Sequence, residues 1–249
     1  RRRYNLLFWR IMSLGLGNSI CANHYPGGWN PTELGNKLIH WYQFNTGITI
    51  DDVGGDVNAV TGWADQKGSN NARPTVTNDN TKMPQLQSDG TILFQTTNDD
   101  IVFSSPLSLG TFAIYFKINW QGGGGTNIIS SDDLMDGTGG DFLKLANTTE
   151  GRIKVGTRHD FTINEIGTGV DFVIGFERAS NGDLAIYKDN VAGTAADGDS
   201  LNVATSTAIG LNGMGKPSNK SKWYEVVVCN DSLSTSERNE LYNYLVSVG

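Results

Sequence analysis

Apolar and polar residues alternate along most of this chain in short runs, and turn-forming residues separate the runs. The clearest run is Thr111 to Ile118, where Phe112, Ile114, Phe116 and Ile118 fall on one side. Period-two spacing of this kind marks a half-buried strand. Shorter β-type runs occur at Leu38–Tyr42, Ile48–Val53, Val60–Trp63, Thr91–Phe94, Asp100–Phe103, Asn127–Ser130, Phe142–Leu145, Thr205–Gly210 and Lys222–Cys229, with Gly, Asn and Asp between them. Asp171–Arg178 and Asp183–Asp189 flank Asn181-Gly182. That dipeptide predicts a hairpin with positive φ at both residues of a two-residue turn.

Helical spacing is convincing only at the end of the chain. Ser234-Thr235-Ser236-Glu237 fits a capping box, and Leu241, Tyr244, Leu245 and Val248 then form one stripe. About a dozen strands without β-α-β alternation predict an all-β fold, a two-sheet antiparallel jelly-roll sandwich with one short C-terminal helix.

Composition supports this reading. The 249 residues include 31 Gly, and only 18% are charged. No apolar run approaches the roughly 18 residues of a membrane-spanning helix, so no membrane partner is expected. The net charge is −7, but four of the 19 cations lie in the first ten residues. The remainder carries 15 Lys and Arg against 26 Asp and Glu, a net of −11. Phosphate contacts need clustered cations, so nucleic acid is not an expected partner. Cys21 and Cys229 are too few for a disulfide framework or a zinc site, and both read as free thiols.

Residues 1–37 show no consistent period beyond a short helical turn near Pro31–Leu34. They read as an extended docking arm preceding a domain at 38–249. Its candidate docking residues are Arg1, Arg2, Arg3 and Arg10, which would pair acidic groups, and Leu6, Leu7, Phe8 and Trp9, which would fill an apolar groove. Arg10 interrupts the apolar run and no clean small-residue cleavage site follows, unlike a signal peptide.

The chain carries Trp63-x-Asp65-Gln66-x-Gly68-x-x-Asn71-Ala72, then Pro84-Gln85-Leu86, then Gly90-Thr91-Ile92-Leu93-Phe94 followed by Asp99-Asp100, with the hairpin Gly182–Asn190 and the ending Glu225–Arg238. In these stretches, from residue 38 onward, it resembles concanavalin A-like (laminin-G-like) jelly rolls. Such modules serve as lectins, hydrolases and structural parts, so the fold leaves the function open. An arm before one jelly roll is similar to the arrangement of tailed-bacteriophage virion proteins. That likeness implies a non-enzymatic structural protein of the virion, a capsid decoration or tail-associated part within an oligomeric assembly of capsid or tail subunits. The alternative is a carbohydrate-binding module recognising host-surface glycans, and a glycoside hydrolase ranks third.

The family's retaining glucanases carry paired carboxylates on one strand face. Here Glu33, Glu150, Glu165, Glu177, Glu225, Glu237 and Glu240 include no such pair. Gly210–Pro217 nearly spells a phosphate-binding loop, but Pro217 stands where a Ser or Thr hydroxyl is needed. It reads as a loop between strands. His24, His40 and His159 are dispersed. No cofactor is expected. Calcium is the one candidate ion, through the hard oxygens of Asp51–Asp56 or Ser131–Gly137.

Sugar binding wants an exposed aromatic platform beside hydrogen-bonding groups. Trp120, next to the Gly122–Gly125 loop, is the candidate platform, with Asn127 beside it. Trp63 and Trp223 read as packing residues. The polar stretch from Trp63 to Phe103 reads as a structural corner, with Asp65, Asn71 and Asp100 tying down turns.

Overall fold

The structure is a computed structural model that describes residues 28–95, 99–122, 132–137, 140–198, 207–216 and 220–249. Its strands pair antiparallel throughout the described residues and form one continuous ladder folded into two layers. In the first layer, the long strands Lys220–Cys229 and Phe112–Gly122 lie side by side. Leu38–Tyr42 and Ile92–Phe94 share the outer edge of the former. Asp171–Arg178, Leu184–Lys188 and Val191–Ala192 continue beyond the latter.

The second layer begins with the hairpin of Ile48–Val53 and Asp56–Trp63. Ala72–Arg73 joins it to Ile101–Leu109, and Ile209–Lys216 and Asp132–Asp136 follow. Phe142–Asn147, Glu150–Val155 and Thr157–Thr162 complete the broad face. Gln85–Leu86 links the two layers.

Alternation along each strand fills the space between the layers. Phe112, Ile114, Phe116, Ile118 and Trp120 all enter the main core, as does Trp223 opposite them. From the second layer Leu143, Leu145, Ile153, Val155 and Phe161 meet them. Phe116 and Trp223 pack edge to face, 5.5 Å between ring centroids. The odd positions Ala113 and Tyr115 point the other way, into a second apolar cluster under the carboxy-terminal helix.

That helix runs Thr235–Ser247, and its capping box forms as the sequence predicts, with Ser234 accepting from the Glu237 amide and Glu237 accepting from the Ser234 amide. Leu241, Tyr244, Leu245 and Val248 are buried against Val173, Val227 and Cys229. The 3-10 helix Pro31–Lys37 packs Leu34 into the same cluster.

Two local expectations need correction. The hairpin after Arg178 closes with a three-residue loop rather than a two-residue turn. The Gly182 amide donates to Ala179 O and the Ala179 amide to Asp183 O. Gly182 has φ of +92°, whereas Asn181 keeps a negative φ. A type I turn followed by a left-handed glycine gives this form. The stretch resembling a phosphate loop is a strand, Ile209–Lys216, in register with Ile101–Leu109. Gly213 fits there because a Cβ would lie 2.6 Å from Ile101 O, so these glycines permit close strand packing instead of cradling an anion.

Candidate functional site

The polar corner at Asp65 is closed on itself. Its carboxylate accepts from His40 Nδ1 at 2.7 Å and from the amides of Trp41, Lys67 and Asn70 at 3.0–3.2 Å. Burial pushes the carboxyl up, but the bonds from His40 and from backbone amides outweigh it and hold it well below the usual carboxylate range. Gly68 is required at this approach, since a Cβ would fall 2.7 Å from Asp65 Oδ2. Asn71 accepts from the Asp65 amide, and Asp100 binds both the amide and the hydroxyl of Thr75. These residues tie down turns, as expected.

Trp120 is not an exposed platform. It is 2% exposed and sits in the main core. The reason is parity: it continues the inward set of Phe112 to Ile118 on the same strand. Trp63 and Trp223 are buried as well. Asn127 and Arg1, Arg2, Arg3, Leu6, Leu7, Phe8, Trp9 and Arg10 lie outside the described residues, as does Cys21. Cys229 is a buried free thiol, and His159 is buried on the inner side of its strand.

In the calcium candidates, Asp52 accepts from the Gly55 amide within its own turn, and Asp133 pairs with Lys144. Among the described residues, no group of three His, Cys, Asp or Glu side chains is placed to hold a metal ion.

A hollow of about 610 Å³ lies at one end of the sandwich between Ser108–Thr111 and the Ala179–Gly182 loop. The described residues that line it include no aromatic side chain. Arg178 at its wall donates to Gly110 O and Thr207 O.

An aromatic platform does exist elsewhere. Among the described residues, Phe142 is the one aromatic side chain that joins none of the apolar clusters. It is partly exposed on the outer face of the second layer. Its strand sends Leu143 and Leu145 inward and so turns Phe142 and Lys144 outward. An Asx turn, with Asn147 accepting from the Thr149 amide at 2.9 Å, reverses the chain into Glu150–Val155. Gly156, at φ +68°, then reverses it into Thr157–Thr162.

These two reversals line up the outward side chains in rows. Phe142 stands between Asp136 and Lys154, and Lys154 stands opposite Arg158. The neighbouring row runs Asp133, Lys144, Arg152, Asp160. Lys144 Nζ lies 2.7 Å from Asp133 and 4.9 Å from the Phe142 ring centroid. Arg152 Nε contacts Glu150 at 2.7 Å and Asp160 at 3.3 Å, and Arg158 Nε reaches the same Asp160 oxygen at 3.0 Å. The result is an apolar ring beside Lys154 and a network in which Lys144, Arg152 and Arg158 are held by carboxylates. A ring face can stack on the C–H face of a sugar while fixed polar groups meet its hydroxyls.

Sequence reading missed this face. Its strands Glu150–Val155 and Thr157–Thr162 carry charge at Glu150, Arg152, Lys154, Arg158 and Asp160, which masks their β character. The available signal was the parity of Phe142 against Leu143 and Leu145.

No protein-family model matches the chain, and no curated protein matches it significantly. Solved structures do share its fold. The ligand-binding domain of botulinum neurotoxin serotype D, in complex with N-acetylneuraminic acid, aligns with a TM-score of 0.62 at 10% identity. The alignment covers 86% of this chain and 52% of that one. Trypanosoma rangeli sialidase in complex with sialic acid aligns at 0.55 and 13% identity, covering 83% of this chain and 32% of the sialidase. The binding domain of Paraclostridial Mosquitocidal Protein 1 aligns at 0.54 and 16%, covering 74% and 52%. The chain thus spans about a third to a half of the length of these proteins. At such identities the likeness concerns the fold, which is the β-sandwich the sequence predicts.

Proposed function

We propose that this chain is a non-catalytic saccharide-binding module whose contact surface is the outer face of the second layer, centred on Phe142. The observation that carries the reading is the position of that ring, outside every apolar cluster and bordered by Lys144 and Lys154. A ring that stabilises no core yet is held on a rigid strand suits a flat, partly apolar ligand. The sandwiches it resembles include proteins solved with sialic acids, which agrees with a sugar ligand without identifying one.

Binding to a panel of immobilised glycans tests the proposal. Phe142→Ala should weaken binding about tenfold while leaving thermal unfolding nearly unchanged. Uniformly absent binding by the parent protein, or undiminished binding by Phe142→Ala, would overturn it.

Display of such a module on a phage particle is a finer proposal, and it rests on the sequence resemblance alone. In that reading residues 1–37 dock onto capsid or tail subunits. Deleting residues 1–20 should abolish incorporation into particles and leave the sandwich folded; retained incorporation would refute the docking role.

A further inference from the structure

We infer that the Phe142 face selects acidic saccharides, with the sugar's carboxylate or sulfate seated between Lys154 and Arg158. The inference rests on the saccharide reading above and adds the ligand class. Lys154 and Arg158 are directly opposite each other on neighbouring strands. Like charges at such positions repel and weaken a sheet. The adjoining row avoids this, because Lys144 and Arg152, also opposite each other, are each answered by a carboxylate, Asp133 for one and Glu150 for the other.

The Lys154–Arg158 pair is not balanced in that way. Asp160 is shared between Arg152 and Arg158. The Lys154 ammonium makes no hydrogen bond or ion pair with the described residues, and it lies beside Gly140, where a Cβ would come within 3.1 Å of it. The Arg158 side chain is 54% exposed, so its guanidinium has donors free for a ligand, in the planar arrangement that suits a carboxylate or sulfate. Phe142 lies on the other side of Lys154 in the same row. A pyranose ring stacked on Phe142 would therefore carry its acidic substituent toward the two cations.

The acidic body of the protein does not prevent this. Screening limits charge effects to about 10 Å at 0.1 M salt, so contact cations govern a ligand already on the face. A nucleic acid is a poorer fit, because the carboxylates of Asp133, Glu150 and Asp160 interrupt any continuous track for phosphates.

The test compares three probes of equal length by calorimetry: a uronic-acid oligosaccharide, the same oligosaccharide with its carboxyls reduced to alcohols, and a sulfated oligosaccharide. Acidic probes should bind about tenfold more tightly than the reduced one, and that margin should shrink as salt rises from about 0.05 M to about 0.5 M. The double variant Lys154→Gln, Arg158→Gln should erase the margin, so that acidic and neutral probes bind it equally. Whichever acidic probe binds better identifies carboxylate or sulfate as the recognised group. Equal binding of acidic and neutral probes, with both lost in Phe142→Ala, would overturn the selectivity and leave the saccharide reading standing. An unchanged margin in the double variant would overturn the seat. Absence of binding to all three would overturn the selectivity here and, with a null glycan panel, the saccharide reading itself.

Discussion

The two outer faces of the sandwich are built from the same alternation and differ in what covers them. On the first layer, the outward residues Tyr115, Lys117, Glu177 and Glu225 lie beneath the carboxy-terminal helix and are buried. Glu177 receives Tyr115 Oη at 2.5 Å and two bonds from Arg238 at 3.0 and 3.3 Å. Arg238 also stacks 4.0 Å from the Tyr187 ring centroid. Glu225 accepts from the Trp41 indole at 2.6 Å and the Phe44 amide at 3.1 Å, and it bonds Tyr244. Lys117 binds the carbonyls of Val246 and Val248, the last turn of the helix, where a cation is favoured.

On the second layer, no helix covers the outward cations: Lys144, Arg152 and Lys154 are partly exposed and Arg158 is exposed. Burial pushes the Glu225 carboxyl up to about 7 and the Lys117 amine down. Charged residues on a covered face become structural fasteners, whereas the same residue types on an open face stay available to a ligand.

The contrast breaks most sharply at the fasteners. Arg238→Met should cost about 4 kcal/mol, because it leaves the buried Glu177 with the Tyr115 hydroxyl but without its cation. Arg152→Met on the open face should cost under about 1 kcal/mol, since water replaces what is lost. Urea unfolding of the two variants measures the difference, and equal losses would erase the distinction between the faces.

Next in size is a pH effect. The Glu225 carboxyl stays protonated in the folded chain up to about pH 7, but its ordinary value is 4.5. Its contribution to stability is therefore complete below about pH 4.5 and is lost as pH rises to about 7, a change of about 3 kcal/mol. Asp65 acts in the opposite sense: it stabilises above its ordinary 3.8 and loses that contribution as pH falls further. Stability should therefore peak between about pH 4 and 5, and Glu225→Gln should flatten the decline on the alkaline side in thermal melts.

The smallest expected change is a gain. Lys154→Gln relieves repulsion from Arg158 and should stabilise the free protein by about 0.3 kcal/mol. A loss of stability would show that Lys154 serves the fold.

The sequence carried the fold wherever one physical period ran uninterrupted. Phe112 to Ile118 announced a strand, and Ser234, Glu237 and the Leu241–Tyr244–Leu245–Val248 stripe announced a capped helix, because capping and alternation are local. Even the burial of Trp120 was written in that parity, although the glycines after it pointed toward a surface. Glu150–Val155 and Thr157–Thr162 stayed hidden because their outward positions are charged and their inward set includes Gly151 and His159. What the chain could not state locally was which sheet face the helix would cover. That choice requires the helix stripe to meet Val173, Val227 and Cys229 from distant strands. It leaves Phe142 uncovered across the molecule, and the cations beside it come together only through registers between strands. Parity assigns each side chain to a face, and only tertiary packing decides whether that face meets protein or water.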